Sequence, residues 1–214
     1  MWRQARGHSR ICIGTIHVSK DGKSLSFQYS HEGIEEAKAI DPNFYGYPGL
    51  PITSNNFPSE QVAEVFLGRL IDSSRKDVDD FYNFWLVDRN KVDDKIYILA
   101  QTQGLSITDM FEFVPQYYIS HKPSFITDVA GLSRIPFDLT KLKVGDRLSF
   151  YLEKNNPKDS DAVVITFKGE KIGYIKKGHN AVFHCKSSNR ITLTVWNVIT
   201  LEGFEKLYLK IDLR

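Results

Sequence analysis

The sequence predicts an α+β protein: an N-terminal α+β domain, residues 1–121, followed by a small and mainly antiparallel β-barrel, residues 122–214. Three observations support this prediction. The first half mixes strand patterns with two amphipathic helix patterns, and the second half holds six short alternating segments separated by turns. Between the halves, residues 115–127 accumulate Pro, Ser and Lys, which is typical of a domain boundary.

The N-terminal domain begins with a predicted β-hairpin. Residues 11–18 and 25–29 are rich in β-branched and aromatic types, and they flank the turn dipeptide Asp21-Gly22. This combination favours two antiparallel strands joined by a tight turn. The next segment, residues 41–58, carries four prolines and two glycines, so we expect an irregular connection there.

Two helices are predicted after this connection. The first begins at a capping Ser59, and apolar residues recur with helical spacing at Val62, Val65, Phe66 and Leu70. The second follows Ser73-Ser74, and its apolar stripe consists of Val78, Phe81, Tyr82, Trp85 and Leu86. Beyond the helices, the apolar run 96–100 and the segment 107–114 are predicted as two further strands.

The second half has the pattern of a small all-β fold. Turn signals such as Gly145-Asp146, Asn155-Asn156-Pro157 and Lys168-Gly169 separate its segments. Strands this short, at this spacing, indicate a barrel or a sandwich. A short helical piece is expected near 178–186. The predicted strands are residues 127–132, 147–152, 162–167, 171–175, 190–198 and 204–212.

The charge of the chain is divided unevenly between the two halves. The formal net charge is +2, but residues 1–121 hold 12 basic and 16 acidic residues, whereas residues 122–214 hold 16 and 10. The halves therefore carry −4 and +6. A basic second domain would suit an anionic partner. The alternative, that surface charge varies by chance along the chain, stays open at this point.

The sequence contains no recognisable catalytic or cofactor motif. There is no phosphate-binding glycine loop, no nucleophile elbow, and no zinc pattern among the six histidines and two cysteines. The acidic group at residues 72–80 is explained by the start of a helix, where negative charge is favourable. We therefore expect a protein that is not an enzyme, with no cofactor and no bound metal.

The sequence also contains no recognisable signal for secretion or membrane insertion. The basic N-terminus lacks the apolar run of a secretory signal, and no stretch approaches 18 apolar residues. We therefore expect a cytoplasmic protein without a membrane span.

Residues 144–177 resemble the signature of HIRAN domains. The matching features are Gly145-Asp146 before a strand, then the turn residues Asn156, Pro157, Asp159 and Ala162, then Gly169, Ile172, Gly173, Tyr174 and Ile175. With residues 129–132 upstream and the closing strands, the resemblance covers roughly 125–214. It implies a small HIRAN-like β-barrel of SH3/OB-like type. It also implies DNA binding, to single strands or 3′ ends, in a bacterial protein of genome maintenance or mobile-element defence.

The resemblance also implies a set of nucleic-acid-binding residues: Arg134, Lys154, Lys158, Asp159, Tyr174, Lys176 and Lys177. Lysines and arginine would contact phosphates, and Tyr174 would supply an aromatic face. In end-binding members, the positions matching Arg134 and Lys158 carry stacking tyrosines, whereas here both are cationic. Asp159 matches an acid that reaches the terminal 3′ hydroxyl, and the alternative is that it caps a turn.

The first half is weakly similar to the N-terminal subdomain of HipA-like toxin kinases, although no kinase motif follows. This similarity supports an alternative function, in which the N-terminal domain docks a protein partner as in toxin–antitoxin sets. The aromatic residues Phe44, Tyr45, Tyr47 and Phe57 would provide its contacts. Packing of the same aromatics onto their own domain is the competing explanation.

Overall fold

The chain forms two compact units, Met1–Val114 and Pro115–Arg214. The computed structural model describes residues 1–5, 9–54, 56–117, 122–185 and 188–214. The division between the units lies at the start of the proline-bearing segment 115–127 that the sequence marks as a boundary. The predicted domain limit itself, after residue 121, falls outside the described residues.

The first unit is a mixed α and β structure with its own core. Strands β1 and β2 pair antiparallel, and β3 and β4 form a second two-stranded ladder. Four helices accompany these strands around a core rich in aromatic side chains. The elements are β1 Gly14–Val18, β2 Leu25–Tyr29, α1 His31–Ile40, β3 Gly46–Tyr47, β4 Leu50–Pro51, α2 Ser59–Leu67, α3 Val78–Phe84 and α4 Lys95–Thr102.

The predicted hairpin and the two predicted helices are present. Pairing of Val18 with Leu25 places the Asp21-Gly22 turn between β1 and β2. The predicted cap of α2 is wrong, because Pro58 occupies the N-cap position without a side-chain hydrogen bond. The hydroxyl of Ser59 instead accepts the N–H of Leu25 at 2.9 Å, which ties the helix to the hairpin.

The run 96–100 is helical, so the strand predicted there is wrong. It lies inside α4, whose first turn is capped by the Asp94 carboxylate, which accepts the N–H of Tyr97 at 2.9 Å. Gln103 ends the helix in the left-handed region, at φ 62°. The periodicity of a short apolar run cannot distinguish a buried strand from a buried turn of helix. Here the cap formed by Asp94 favours the helix.

Two other parts of the first unit differ from the sequence prediction. Residues 107–114 form no strand, only an isolated bridge between Trp2 and Phe111. Helix α1 was not predicted, although Ser30 caps it by accepting the N–H of Gly33 at 3.2 Å. Both differences arise where local pattern was weak and contacts from distant residues fix the backbone.

The second unit contains six antiparallel strands. They pair in the cyclic order β10-β5-β8-β7-β6-β9, so the sheet closes into a barrel around a single apolar core. All six predicted strand segments coincide with observed strands to within a few residues. Cyclic pairing alone does not assign an SH3 or OB type, which stays a prediction. The strands are β5 Ser124–Ala130, β6 Arg147–Leu152, β7 Val163–Phe167, β8 Glu170–Ile175, β9 Ile191–Leu201 and β10 Phe204–Leu213.

Short 3₁₀ segments fill the connections of the barrel. Leu132–Arg134 follows β5, Leu139–Lys141 precedes β6, and Asn180–His184 follows β8. The last of these lies within the helical piece that the sequence predicts near 178–186, of which residue 186 lies outside the described part.

A buried arginine organises the irregular part of the first unit. The Arg69 guanidinium forms a two-pronged pair with Asp109, at 2.6 and 2.9 Å, and also donates to the Phe111 and Gly104 carbonyls. Burial alone would raise the pKa of Asp109, but hydrogen bonds from Arg69 and from the Phe111 N–H outweigh it and hold that pKa below its usual value. Segment 104–111 is therefore held largely by side-chain contacts of Arg69 rather than by a sheet.

We expect Arg69→Met to lower the free energy of unfolding of the first unit by about 3 kcal/mol, since it leaves the Asp109 carboxylate without its cation. The matched control is Arg75→Met, which removes an exposed pair with Asp77 and should leave the free energy of unfolding almost unchanged. Urea unfolding followed by tryptophan fluorescence measures both. Equal losses of stability for the two variants would contradict the role given to Arg69.

Candidate nucleic-acid interface

The loop between β6 and β7 carries much of the candidate site, and one side chain shapes it. The side-chain amide oxygen of Asn156, Oδ1, accepts hydrogen bonds from the backbone N–H groups of Lys158 at 2.9 Å and Asp159 at 3.1 Å. An asparagine that caps its own turn in this way replaces backbone pairing that a strand would provide. The loop therefore has a defined conformation although it is largely exposed.

The hydroxyl of Tyr174 on β8 connects this loop to the barrel. It donates to Glu153 Oε2 at 2.9 Å, and it accepts from Lys171 Nζ at 2.7 Å and Asn156 Nδ2 at 3.2 Å. The Lys171 ammonium also pairs with Glu153 at 3.1 Å and lies 4.4 Å from the centroid of the Tyr174 ring. Four side chains from β8 and the loop thus form one closed network.

The charges inside this network compensate each other. The hydrogen bond from Asn156 is the main cause that lowers the pKa of Glu153, with Lys171 and Tyr174 adding to it. Burial opposes protonation of Lys171, but its bonds to Tyr174 and Glu153 raise its pKa above the ordinary value. Lys171 therefore stays charged and is neutralised by Glu153, which leaves its ammonium committed to the protein.

Asp159 fastens the far end of the same loop. One carboxylate oxygen accepts the N–H of Asp161 at 3.0 Å, and the other accepts Asn180 Nδ2 at 3.3 Å. Asn180 also donates to the Asp161 carbonyl at 2.9 Å. These contacts support the turn-capping interpretation of Asp159, while a contact with a 3′ hydroxyl stays a prediction.

Two segments that contact Tyr174 also carry exposed cations. Lys154 and Lys158 project from the loop, and Arg134 ends the 3₁₀ segment that follows β5; all three are exposed. That segment lies against the ring, because a Cβ built on Gly131 would come within 3.2 Å of a Tyr174 ring carbon. We call Arg134, Lys154, Lys158 and Tyr174 the basic site.

Lys176 does not have the exposure that a phosphate-contacting lysine needs. Its side chain is 0% exposed, and its ammonium pairs with Asp128 of β5 at 2.8 Å. The backbone turns here, since the Lys176 carbonyl accepts the N–H groups of His179 and Asn180. The phosphate contact that the resemblance implies for Lys176 would require this amine to leave Asp128, a carboxylate distant in sequence that holds it inside. Its neighbour Lys177 is half-buried.

The other candidate groups of the chain do not converge on a site. Among the residues that the structure describes, no group of three or more His, Cys, Asp or Glu side chains could hold a metal ion. Within the same residues, no helix combines the length and the apolar character needed to cross a membrane. Of the aromatics proposed for partner docking, Phe44, Tyr47 and Phe57 are buried in the core, while Tyr45 is 64% exposed.

Comparison with known proteins gives the second unit a family. Residues 122–196 match the HIRAN domain. Among solved structures, the HIRAN domain of human HLTF is 18% identical over 42% of this chain and 73% of its own, with a TM-score of 0.35. A protein from Lactobacillus plantarum is 23% identical over 42% of this chain and 92% of its own, with a TM-score of 0.31. No curated protein matches the chain.

The match confirms that a HIRAN domain occupies the segment whose motifs resemble that family. It begins at residue 122, and the expected similarity of the first half to HipA-like kinases stays a prediction. Sequence reasoning missed the part played by Glu153. No motif marks that residue, because its partners Lys171 and Tyr174 reach it only once β8 lies beside the loop.

A buried tyrosine of the second unit, Tyr208, lies near the Lys176–Asp128 pair and should make stability depend on alkaline pH. Burial, helped by the Asp128 carboxylate and opposed by Lys176, raises the pKa of Tyr208 to about 12. An unfolded tyrosine ionises near pH ~10, so the folded state holds this proton more tightly and stability falls between about pH 10 and pH 12. The loss of stability from this group can reach roughly 2–3 kcal/mol at the upper end.

Tyr208→Phe should therefore lose less stability between about pH 9 and pH 11.5 than the unmodified protein does. Urea unfolding at both pH values, followed by circular dichroism, measures the difference. Tyr151→Phe is the matched control, because it removes the hydroxyl of an exposed tyrosine. If Tyr208→Phe and the unmodified protein respond alike to pH, Tyr208 is not the group responsible.

Proposed function

We propose that this protein binds nucleic acid without catalysis, through the basic site of its HIRAN domain. The observation that supports the proposal is the exposure of Arg134, Lys154 and Lys158 on two segments that contact Tyr174, inside the matched residues. HIRAN domain homologues bind nucleic acid, which supports the proposal for this segment. The exposed cations indicate the surface through which nucleic acid would bind.

The physical basis is phosphate neutralisation. Each exposed cation that meets a phosphate releases condensed counterions, so affinity falls steeply as salt rises. Lys171 and Lys176 are paired with Glu153 and Asp128, so they contribute little to this attraction. The exposed lysines Lys154 and Lys158 are therefore the main candidates for phosphate contact, with the exposed Arg134 and the half-buried Lys177 as further candidates.

Single-stranded DNA is the form of nucleic acid that we propose. An exposed loop with cations beside an aromatic residue suits a flexible backbone whose bases are free to stack, which a duplex does not offer. A preference for 3′ ends would require Asp159 to exchange one of its internal hydrogen bonds for the terminal hydroxyl. A role in genome maintenance or mobile-element defence stays a prediction from the resemblance.

Docking of a protein partner through the first unit is the weaker alternative. Three of its four proposed contact aromatics are packed into the core of their own unit, which leaves Tyr45 as the exposed member of the set. A single exposed tyrosine does not make the clustered anchor that interfaces require.

The test is binding of a fluorescein-labelled dT12 strand, measured by fluorescence anisotropy at several salt concentrations. We expect Lys154→Glu combined with Lys158→Glu to weaken binding more than about tenfold. The slope of log affinity against log salt should also become shallower by about 1.4, because each phosphate that a lysine neutralises on a single strand contributes roughly 0.7 to that slope.

The matched control combines Lys143→Glu with Lys168→Glu, which changes the net charge equally. Lys143 precedes β6 and Lys168 follows β7, so both lie at the end of the β6–β7 hairpin opposite the loop that carries Lys154 and Lys158, roughly 15–20 Å away. Both are also exposed. The control should bind within about threefold of the unmodified protein. Equally weakened binding by both double variants, or no binding by the unmodified protein at low salt, would contradict the proposal.

A further inference from the structure

A row of paired residues lies on the side of β6, β7 and β8 that faces away from the apolar core, and its middle residue, Val164, is itself covered. Tyr151 on β6 pairs with Val164 on β7, and Val164 pairs in turn with Tyr174 on β8. Directly paired residues of antiparallel strands point to the same face, so these three side chains share one surface. The neighbouring positions Phe150 and Ile165 point the other way, into the apolar core. The two tyrosines are separated by two strand spacings, about 10 Å.

The two tyrosines of this row differ in availability. The Tyr174 hydroxyl makes three hydrogen bonds, and the Lys171 ammonium lies over its ring, 4.4 Å from the centroid. One face of this ring is therefore already occupied by a side chain of the protein. Tyr151 is 49% exposed, and within the described part of the chain no hydrogen bond or ring contact engages it. The free aromatic surface beside the basic site is thus Tyr151.

Exposure of this ring is unusual for the barrel. In the described part of the second unit, only Tyr151 and Phe204 are aromatic side chains more than a third exposed. Phe204 lies at the tip of the β9–β10 hairpin, paired with Leu201. Tyr151, in contrast, lies near the end of β6, just before the loop that carries Lys154 and Lys158. Lys154 is three residues further on, within about 10 Å along the backbone.

We propose that Tyr151 is a base-stacking residue for single-stranded nucleic acid, a part that the family resemblance gives to Tyr174. The proposal rests on the proposed function, since it adds a base contact to the phosphate contacts of the basic site. A strand whose phosphates meet Lys154 would pass beside the Tyr151 ring, and every base has a face that can stack there. Tyr174 then acts as a positioning residue that holds the loop.

The experiment compares two labelled 12-nucleotide probes, dT12 and a strand of abasic sites with the same phosphate backbone. Tyr151→Ala should weaken binding of dT12 about tenfold, the usual scale of one missing base stack, and change binding of the abasic strand less than about twofold. Tyr151→Phe keeps the ring and should bind both probes within about twofold of the unmodified protein. Phe204→Ala is the matched control and should leave both affinities unchanged.

The outcomes separate this inference from the function on which it rests. If Tyr151→Ala binds dT12 normally while the Lys154/Lys158 double variant does not, the stacking inference is wrong and the function stands. An equal weakening on both probes also overturns it, because a missing stack cannot affect a strand without bases. If the unmodified protein binds neither probe, the proposed function itself fails. Tyr151→Thr, which suits a strand, repeats the test should the alanine variant fold poorly.

Discussion

The Tyr174 hydroxyl accepts from Lys171 and Asn156 and donates to Glu153, and the candidate site depends on this set of bonds. Through these bonds strand β8 holds the loop between β6 and β7, which has no strand pairing. Since Asn156 then fixes the backbone at Lys158 and Asp159, the position of the exposed Lys158 follows from the same contact. Breaking it would leave the cations on a mobile segment and raise the entropic cost of binding.

The basic excess of the second half overstates the charge that a ligand would meet. Lys171 and Lys176 are both paired with carboxylates, one in the network and one in the interior. What remains is local: exposed cations at one end of the β6–β7 hairpin and on the segment after β5, with an exposed tyrosine beside them. The candidate surface is defined here by which charged side chains reach solvent, and a count of charges cannot show that.

Strands of the barrel were predictable because each carries its own alternation and its own turn signal. β6 is an example, since apolar and polar residues alternate from Arg147 to Phe150 after Gly145-Asp146. Helix α4 was not predictable in this way, because its apolar run fits a strand equally well and Asp94 decides the matter through its cap. The pattern of residues 107–114 favoured a strand, but this region is held instead by the contacts of Arg69 with Gly104, Asp109 and Phe111.

By itself the sequence determined the two-part organisation, the six strands, the HIRAN motifs and the cationic character of the second half, since all of these are encoded in local pattern. Only the tertiary structure decided which of its cations and aromatics reach solvent. Lys176 is inside because β5 brings Asp128 to it, and Tyr174 is engaged because Lys171 and Glu153 close over it. Tyr151 stays open on the same face. Burial and pairing are set by residues distant in the chain, so no local pattern encodes them.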